Sequence, residues 1–344
     1  MAYNRVGLPT FFLDAALLAR QWGQIETENP EGKYYLNPSK VTNIELDVGL
    51  GGYAKDISIE FKKRYWCNSI THLFLLGHNF KTDGLQLLPF IIEGDNLEGY
   101  ISLEPTVNGW NKHNLVQITN LNVNTFMCKI ATATGSVLET TETLLGDISI
   151  GWSWTPQHSP QLELTQSFSN ESIKTQTTLG GHTLSNAGYN HQPSWIRQPW
   201  TGTNQATTSV DRMIAPTGRR SWNLKFSYLT DDDTDSPLFA ETYNSANGIF
   251  EWLGETEDNP ETAEELDESG DYMYGIKKDF MSRVYHGSNG FMLPFIFTPN
   301  KNAVDANGNS NVEYAICRIN NDTASFNQVA NNVYDISLDI VEVW

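Results

Sequence analysis

The stretch SWNLKFSY, residues 221–228, alternates apolar and polar side chains without a break. Trp222, Leu224, Phe226 and Tyr228 are separated by Asn223, Lys225 and Ser227. Successive residues of a strand point to opposite faces, so this order puts four large apolar groups on one side of a sheet and leaves the polar ones to water. A helix would scatter the same four around its axis. The stretch predicts a β protein.

The same period returns at the C-terminus in Tyr334, Ile336, Leu338 and Ile340 and runs on to Trp344, which predicts a paired terminal strand. Residues 291–297 and 312–319 supply further strands of this block. Upstream, Ile57, Ile59 and Phe61 alternate. Ile70 and the run Leu73, Phe74, Leu75 and Leu76, ended by Gly77, have the pattern of a strand buried on both faces. Residues 87–92, 115–121, 126–130, 148–154 and 162–168 follow, separated by Gly, Asn, Pro and Asp clusters at sandwich spacing. The expected class is all-β, with two β-sandwich or jelly-roll-like domains.

The expected divisions are an N-terminal helix and extended arm over 1–41, a first sandwich over 42–180, an irregular connection over 181–217, and a second β domain over 218–344. An acidic insertion, 231–271, interrupts the last. It holds a short helix over 238–243 and a strongly acidic run over 254–271, read as a solvated face with docking onto a basic partner as the alternative. The first helix is placed over 11–22, where Phe11, Phe12, Leu13, Leu17, Leu18 and Trp22 form an apolar stripe, with Pro9 and Thr10 as start signals and Gly23 as the stop. The arm over 26–40 carries Pro30, Gly32 and Pro38 and is too polar to cover that stripe. Either the body of the same domain or an adjacent copy must therefore cover it; an adjacent copy or another partner is expected to contribute, and removal of residues 1–40 to leave a folded body that fails to assemble.

Asp and Glu number 41 against 22 Lys and Arg, a net charge of −19, which repels phosphate backbones and anionic lipid. Neither nucleic acid nor a membrane is an expected partner. No apolar run approaches the roughly 18 residues of a spanning helix, and the start lacks the pattern of a signal peptide, so synthesis in a cytoplasm is expected. Cys67, Cys128 and Cys317 are odd in number and far apart and form no CxxC pair; they read as buried thiols.

Candidate chemistry is sparse. His78 and Asn79 follow Gly77 where a buried strand must end, and their side chains suit a turn better than catalysis. Carboxylate pairs of the glycosidase kind cannot be singled out among so many acids. Asp231, Asp232, Asp233 and Asp235 could supply oxygen to a hard cation or cap a helix starting near Ser236 and Pro237; the cap is the preferred reading. In DANGNSN, 305–311, Gly308 is misplaced for a calcium loop and Ile316 stands at the twelfth position, so it reads as a hairpin loop. Tyr189, Trp195 and Trp200 could stack on a sugar, and packing of the long connection is the competing use. Gly49, Gly51 and Gly52 make no nucleotide-binding fingerprint. No enzyme activity and no cofactor are expected.

Four phrases resemble structural proteins of tailed phages: SITHLFLLGHNF (69–80), GRRSWNLKFSYLTDDD (218–233), VYDISLDIVEVW (333–344) and the opening VGLPTFFLD (6–14). The resemblance implies a virion or tail component with a discoidin-like first sandwich. Its partners would be copies of itself and other virion proteins, with a host surface glycan as a further ligand if it serves as an adhesin. A polysaccharide depolymerase is the third class.

Overall fold

The computed structural model describes residues 7–37, 42–45, 47–49, 52–62, 70–78, 85–88, 90–92, 99–101, 113–121, 125–132, 144–161, 165–169, 174–186, 219–234, 243–244, 249–250, 279–303, 312 and 314–343. Among them one sheet dominates. Its strands are β1 (Thr10–Asp14), β2 (Ile70–Leu76), β3 (His113–Leu121), β4 (Asp147–Trp154), β5 (Thr165–Ser169), β6 (Arg219–Leu229), β7 (Phe295–Thr298), β8 (Ala315–Ile319), β9 (Asn327–Ala330) and β10 (Val333–Glu342). They lie in the order β3-β2-β4-β1-β7-β8-β10-β6-β5, with β9 added to β10, and neighbours are antiparallel. A smaller sheet joins Ile25–Asn29, Asp47–Gly49, Gly52–Phe61, Thr125–Thr132 and Leu85–Leu88. The protein is mainly β.

The alternation in β6 does what its period requires. Trp222, Leu224 and Phe226 stand opposite Ile340, Leu338 and Ile336 of β10, and all six are buried. The register then shifts between Phe226 and Leu229, and it is Leu229 that is buried next; the side chain of Tyr228 lies outside the described residues. β10 is a paired strand to Glu342, and Trp344 also lies outside the description. The apolar run of β2 is buried on both faces, with Leu73 and Leu75 in the larger core cluster and Phe74 and Leu76 in a second.

The start of the chain corrects the expected helix. Phe11, Phe12 and Leu13 belong to β1, and helix α1 spans only Ala15–Gln21. β1 pairs with β4 through Phe11–Trp154 and Leu13–Trp152, and with β7 through Phe11–Phe297 and Phe12–Ile296. Phe11 and Leu13 enter the larger cluster, while Phe12 enters the second with Phe74 and Ile296. A strand between two others, covered on both sides, reads as a continuous apolar run and not as an alternation. That run imitated a helix face.

Burial also corrects the expected assembly stripe. Phe11, Phe12, Leu13 and Leu18 are buried in the chain's own core, and Leu17 is partly buried against the second cluster. Trp22, 55% exposed, alone of the six keeps a large free surface. Loss of residues 1–40 would open the sheet between β4 and β7, because β1 joins them. Such a truncation is therefore expected to disrupt the body and not to leave it intact.

The expected boundaries at 180 and 218 do not divide the main sheet. β1 to β5 come from the first part of the chain and β6 to β10 from the last, yet β5 pairs with β6 and β1 with β7. Ile57, Ile59 and Phe61 of the smaller sheet share one buried cluster with Leu73 and Ile150 and with Trp222 and Leu338. Two sheets contributing to one core give a sandwich-like arrangement.

Candidate functional site

Buried polar groups gather where β1 passes into α1 and meets the start of β4. Asp14 ends β1 and caps α1: its Oδ1 accepts the Leu17 N–H at 2.8 Å, so the first turn of AALLARQ starts with a satisfied donor. Its Oδ2 is buried beside the Ser149 hydroxyl without a hydrogen bond of ordinary geometry. Asp14 stands opposite Gly151 in β4, and a Cβ at Gly151 would lie 2.0 Å from the Leu13 carbonyl oxygen. Glycine is needed there because the two backbones touch.

At the first residue of β4, Asp147 holds the segment 33–37 against the sheet. Its carboxylate accepts the N–H groups of Tyr35 and Ile148 on Oδ1 and that of Asn37 on Oδ2. Lys33 completes the attachment: its Nζ donates to the carbonyls of Leu145 at 2.9 Å and Gly146 at 3.2 Å, and its own carbonyl accepts the Ile148 N–H at 2.7 Å. Lys33, Asp14, Asp147 and Ser149 are all buried.

Burial pushes the Asp14 carboxyl up to about 7, against the pull of its hydrogen bonds and of Arg20. Burial likewise raises Asp147 to about 7, opposed by the Asn37 N–H and assisted by the negative charge of Asp14. Two carboxyls with such values that feel each other's charge are the raw material of acid–base catalysis. Their geometry assigns them elsewhere. Each is only 2% exposed, and their bonded oxygens are occupied by backbone N–H groups. They fasten a helix start and a surface segment to the sheet.

Other buried polar groups follow the same rule. Glu342 receives Arg220 in a two-pronged ion pair, Nη2 to Oε1 at 2.7 Å and Nε to Oε2 at 3.0 Å, and also accepts the Arg220 backbone N–H, which ties the ends of β10 and β6. Asp279 caps a π-helical turn, Met281–His286, by accepting the Ser282 N–H at 2.6 Å. The Arg283 carbonyl in that turn accepts Trp152 Nε1 at 3.2 Å. His72 lies edge-on to Phe12 and Phe74, and burial lowers it to about 3, so it stays neutral.

Many of the residues singled out from the sequence fall outside the described ones. Tyr189, Trp195 and Trp200 lie outside the described residues, as do Asp235, the acidic run 254–271, Cys67 and residues 305–311. A helical turn spans Asp231–Thr234, and the helix start expected near Ser236 and Pro237 lies outside the described residues. Asp233 folds back on Thr230, accepting its N–H at 3.1 Å and its hydroxyl at 3.0 Å. The side chains of Asp231 and Asp232 are not described, and among the described residues no group of three acids, histidines or cysteines could hold a metal. His78 is buried after Gly77, whose φ of 68° makes the turn that ends β2. Cys317 is buried in the core. No described helix is long and apolar enough to cross a membrane.

No family model, curated protein or solved structure matches this chain. The sequence reading passed over Asp14, Asp147 and Lys33. A signal for the first was present, since Asp followed by AALLARQ is a helix start of ordinary form. Asp147 and Lys33 are over a hundred residues apart, and nothing local to either announces the other.

Proposed function

We propose that this chain is a non-enzymatic structural subunit of a tailed-phage particle, placed in the tail, neck, baseplate or fibre attachment. It acts as a symmetric homo-oligomer that also contacts other virion proteins. The observation that carries this reading is where the resembling phrases fall: residues 6–14, 69–80, 218–233 and 333–344 contain β1, β2, β6 and β10, four strands of one sheet. The resemblance therefore follows a structural unit and not a scatter of loops. The buried polar groups support it from a second side, since Asp14, Asp147, Lys33 and Glu342 bind the chain's own backbone and make a rigid support.

Mass spectrometry of density-banded particles from an infected culture tests the proposal. The chain is expected in the particle band at a fixed copy number; finding it only in the soluble lysate would contradict the reading. Binding to host surface polysaccharide, abolished by W195A and W200A together, would favour the adhesin instead.

A further inference from the structure

A hairpin stands apart from both larger sheets. Lys174–Thr177 pairs with Thr183–Asn186, and among the described residues these two strands form a sheet of their own. The turn between them is closed: the Thr178 N–H donates to the His182 carbonyl at 2.8 Å and the Gly181 N–H to the Thr178 carbonyl at 2.9 Å, with Gly181 at a φ of 79°. Gln176, Thr177 and the residues from Leu179 to Leu184 are exposed, which includes neighbours on opposite faces of the ribbon. Leu179 is fully open at the tip, and Leu184 is 59% exposed. A two-stranded ribbon is marginal in water on its own, and among the described residues neither outer edge is paired, so each offers N–H and C=O groups to another strand.

Charge indicates what meets it. Every copy of the chain carries −19, so two copies repel wherever their acids face one another. From Ser172 to Val210 there is no Asp or Glu, and this is the longest acid-free stretch in the sequence. The hairpin lies inside it. Its two edges differ as well: one begins with Lys174, a charge of the kind that blocks edge pairing, whereas TLSN, Thr183–Asn186, is uncharged and carries Leu184.

We infer that the Thr183–Asn186 edge is where two copies of this chain meet, each adding its hairpin to the other's across a two-fold axis. Antiparallel pairing of an edge with itself is isologous, as a closed dimer requires. It would turn two ribbons into one four-stranded sheet and shelter Leu184. This rests on the assembly reading given above and names the surface that reading uses.

Sedimentation velocity of the full chain over a wide concentration range, beside L184E and L179S, tests the inference. The wild type is expected to dimerise. L184E sets two carboxylates near the axis and is expected to weaken dimerisation at least tenfold with an unchanged thermal transition; L179S should weaken it less. Hydrogen exchange provides a readout that needs no variant, because the amides of 183–186 should gain protection as concentration rises. A wild-type dimer that survives L184E, with no added protection at 183–186, would remove the hairpin from the interface and leave the assembly reading standing. A wild type that stays monomeric throughout would overturn self-pairing, and the content of purified particles would then decide the assembly reading separately.

Discussion

The strand Thr10–Asp14 and the hairpin of Lys174–Thr177 with Thr183–Asn186 are both short β elements carrying large apolar side chains, and the structure treats them in opposite ways. β1 has a strand on each side and a packed cluster on each face; Phe11 alone meets Trp154, Phe295 and Phe297 at ring-centre distances of 5.5, 5.5 and 5.2 Å. The hairpin leaves Leu179 and Leu184 in water. Position within the sheet, more than composition, decides whether an apolar residue holds the fold or remains available to a partner. The first region should therefore govern stability and the second association.

Deleting residues 1–21 should have the largest effect. It removes β1 and α1, separates β4 from β7, and is expected to abolish the cooperative urea transition seen by circular dichroism. Phe11→Ala probes the same region more gently. Truncating a fully buried phenylalanine typically costs about 3–5 kcal/mol, and the denaturation midpoint should fall accordingly without a change of slope.

Acidity offers a third way to sharpen the contrast. Asp14 and Asp147, raised from 3.8 to about 7, bind a proton more tightly in the folded chain, so their part of the stability grows as pH falls from about 7 toward 4 and is absent above 7. His72, lowered from 6.5 to about 3, acts in the opposite sense: its contribution is lost as pH drops below 6.5. Relief of the net charge also favours acid, so the comparison must be made against D14N/D147N, in which His72 and the remaining charge are kept. The wild type should gain roughly 3–5 kcal/mol more than the double variant between pH 8 and pH 5. An equal gain in both would show that the two carboxyls are not the groups that take up the protons. The smallest effect belongs to the hairpin. L179S should move the stability of dilute protein by no more than about 0.5 kcal/mol, as exposed substitutions do.

Much of this contrast was legible in the sequence, and the part that was not has a physical cause. Trp222, Leu224 and Phe226 alternate because one face of β6 is covered, and the run Leu73 to Leu76 is continuous because both faces of β2 are. β1 is covered in the same double way, but its apolar core is only three residues long and flows into the helix-forming AALLARQ, so period alone could not separate the two elements. The N-cap Asp14 marked the boundary. The pairing of β5 with β6 and of β1 with β7 had no local signature, because both contacts join residues far apart in the chain. The carboxyl pair was hidden for the same reason: 41 acids gave no means of telling these two from the rest.

Native-state hydrogen exchange of the dilute full-length chain tests the central contrast within a single sample. Amides of Phe11, Phe12 and Leu13 are expected to exchange only through global unfolding, with the same free energy as those of Leu224 and Leu338, while Thr183 to Asn186 exchange through local opening at far lower cost. Early exchange at Phe11 to Leu13, with β6 and β10 still protected, would contradict the account, because the sheet would then stand without the strand said to join its halves.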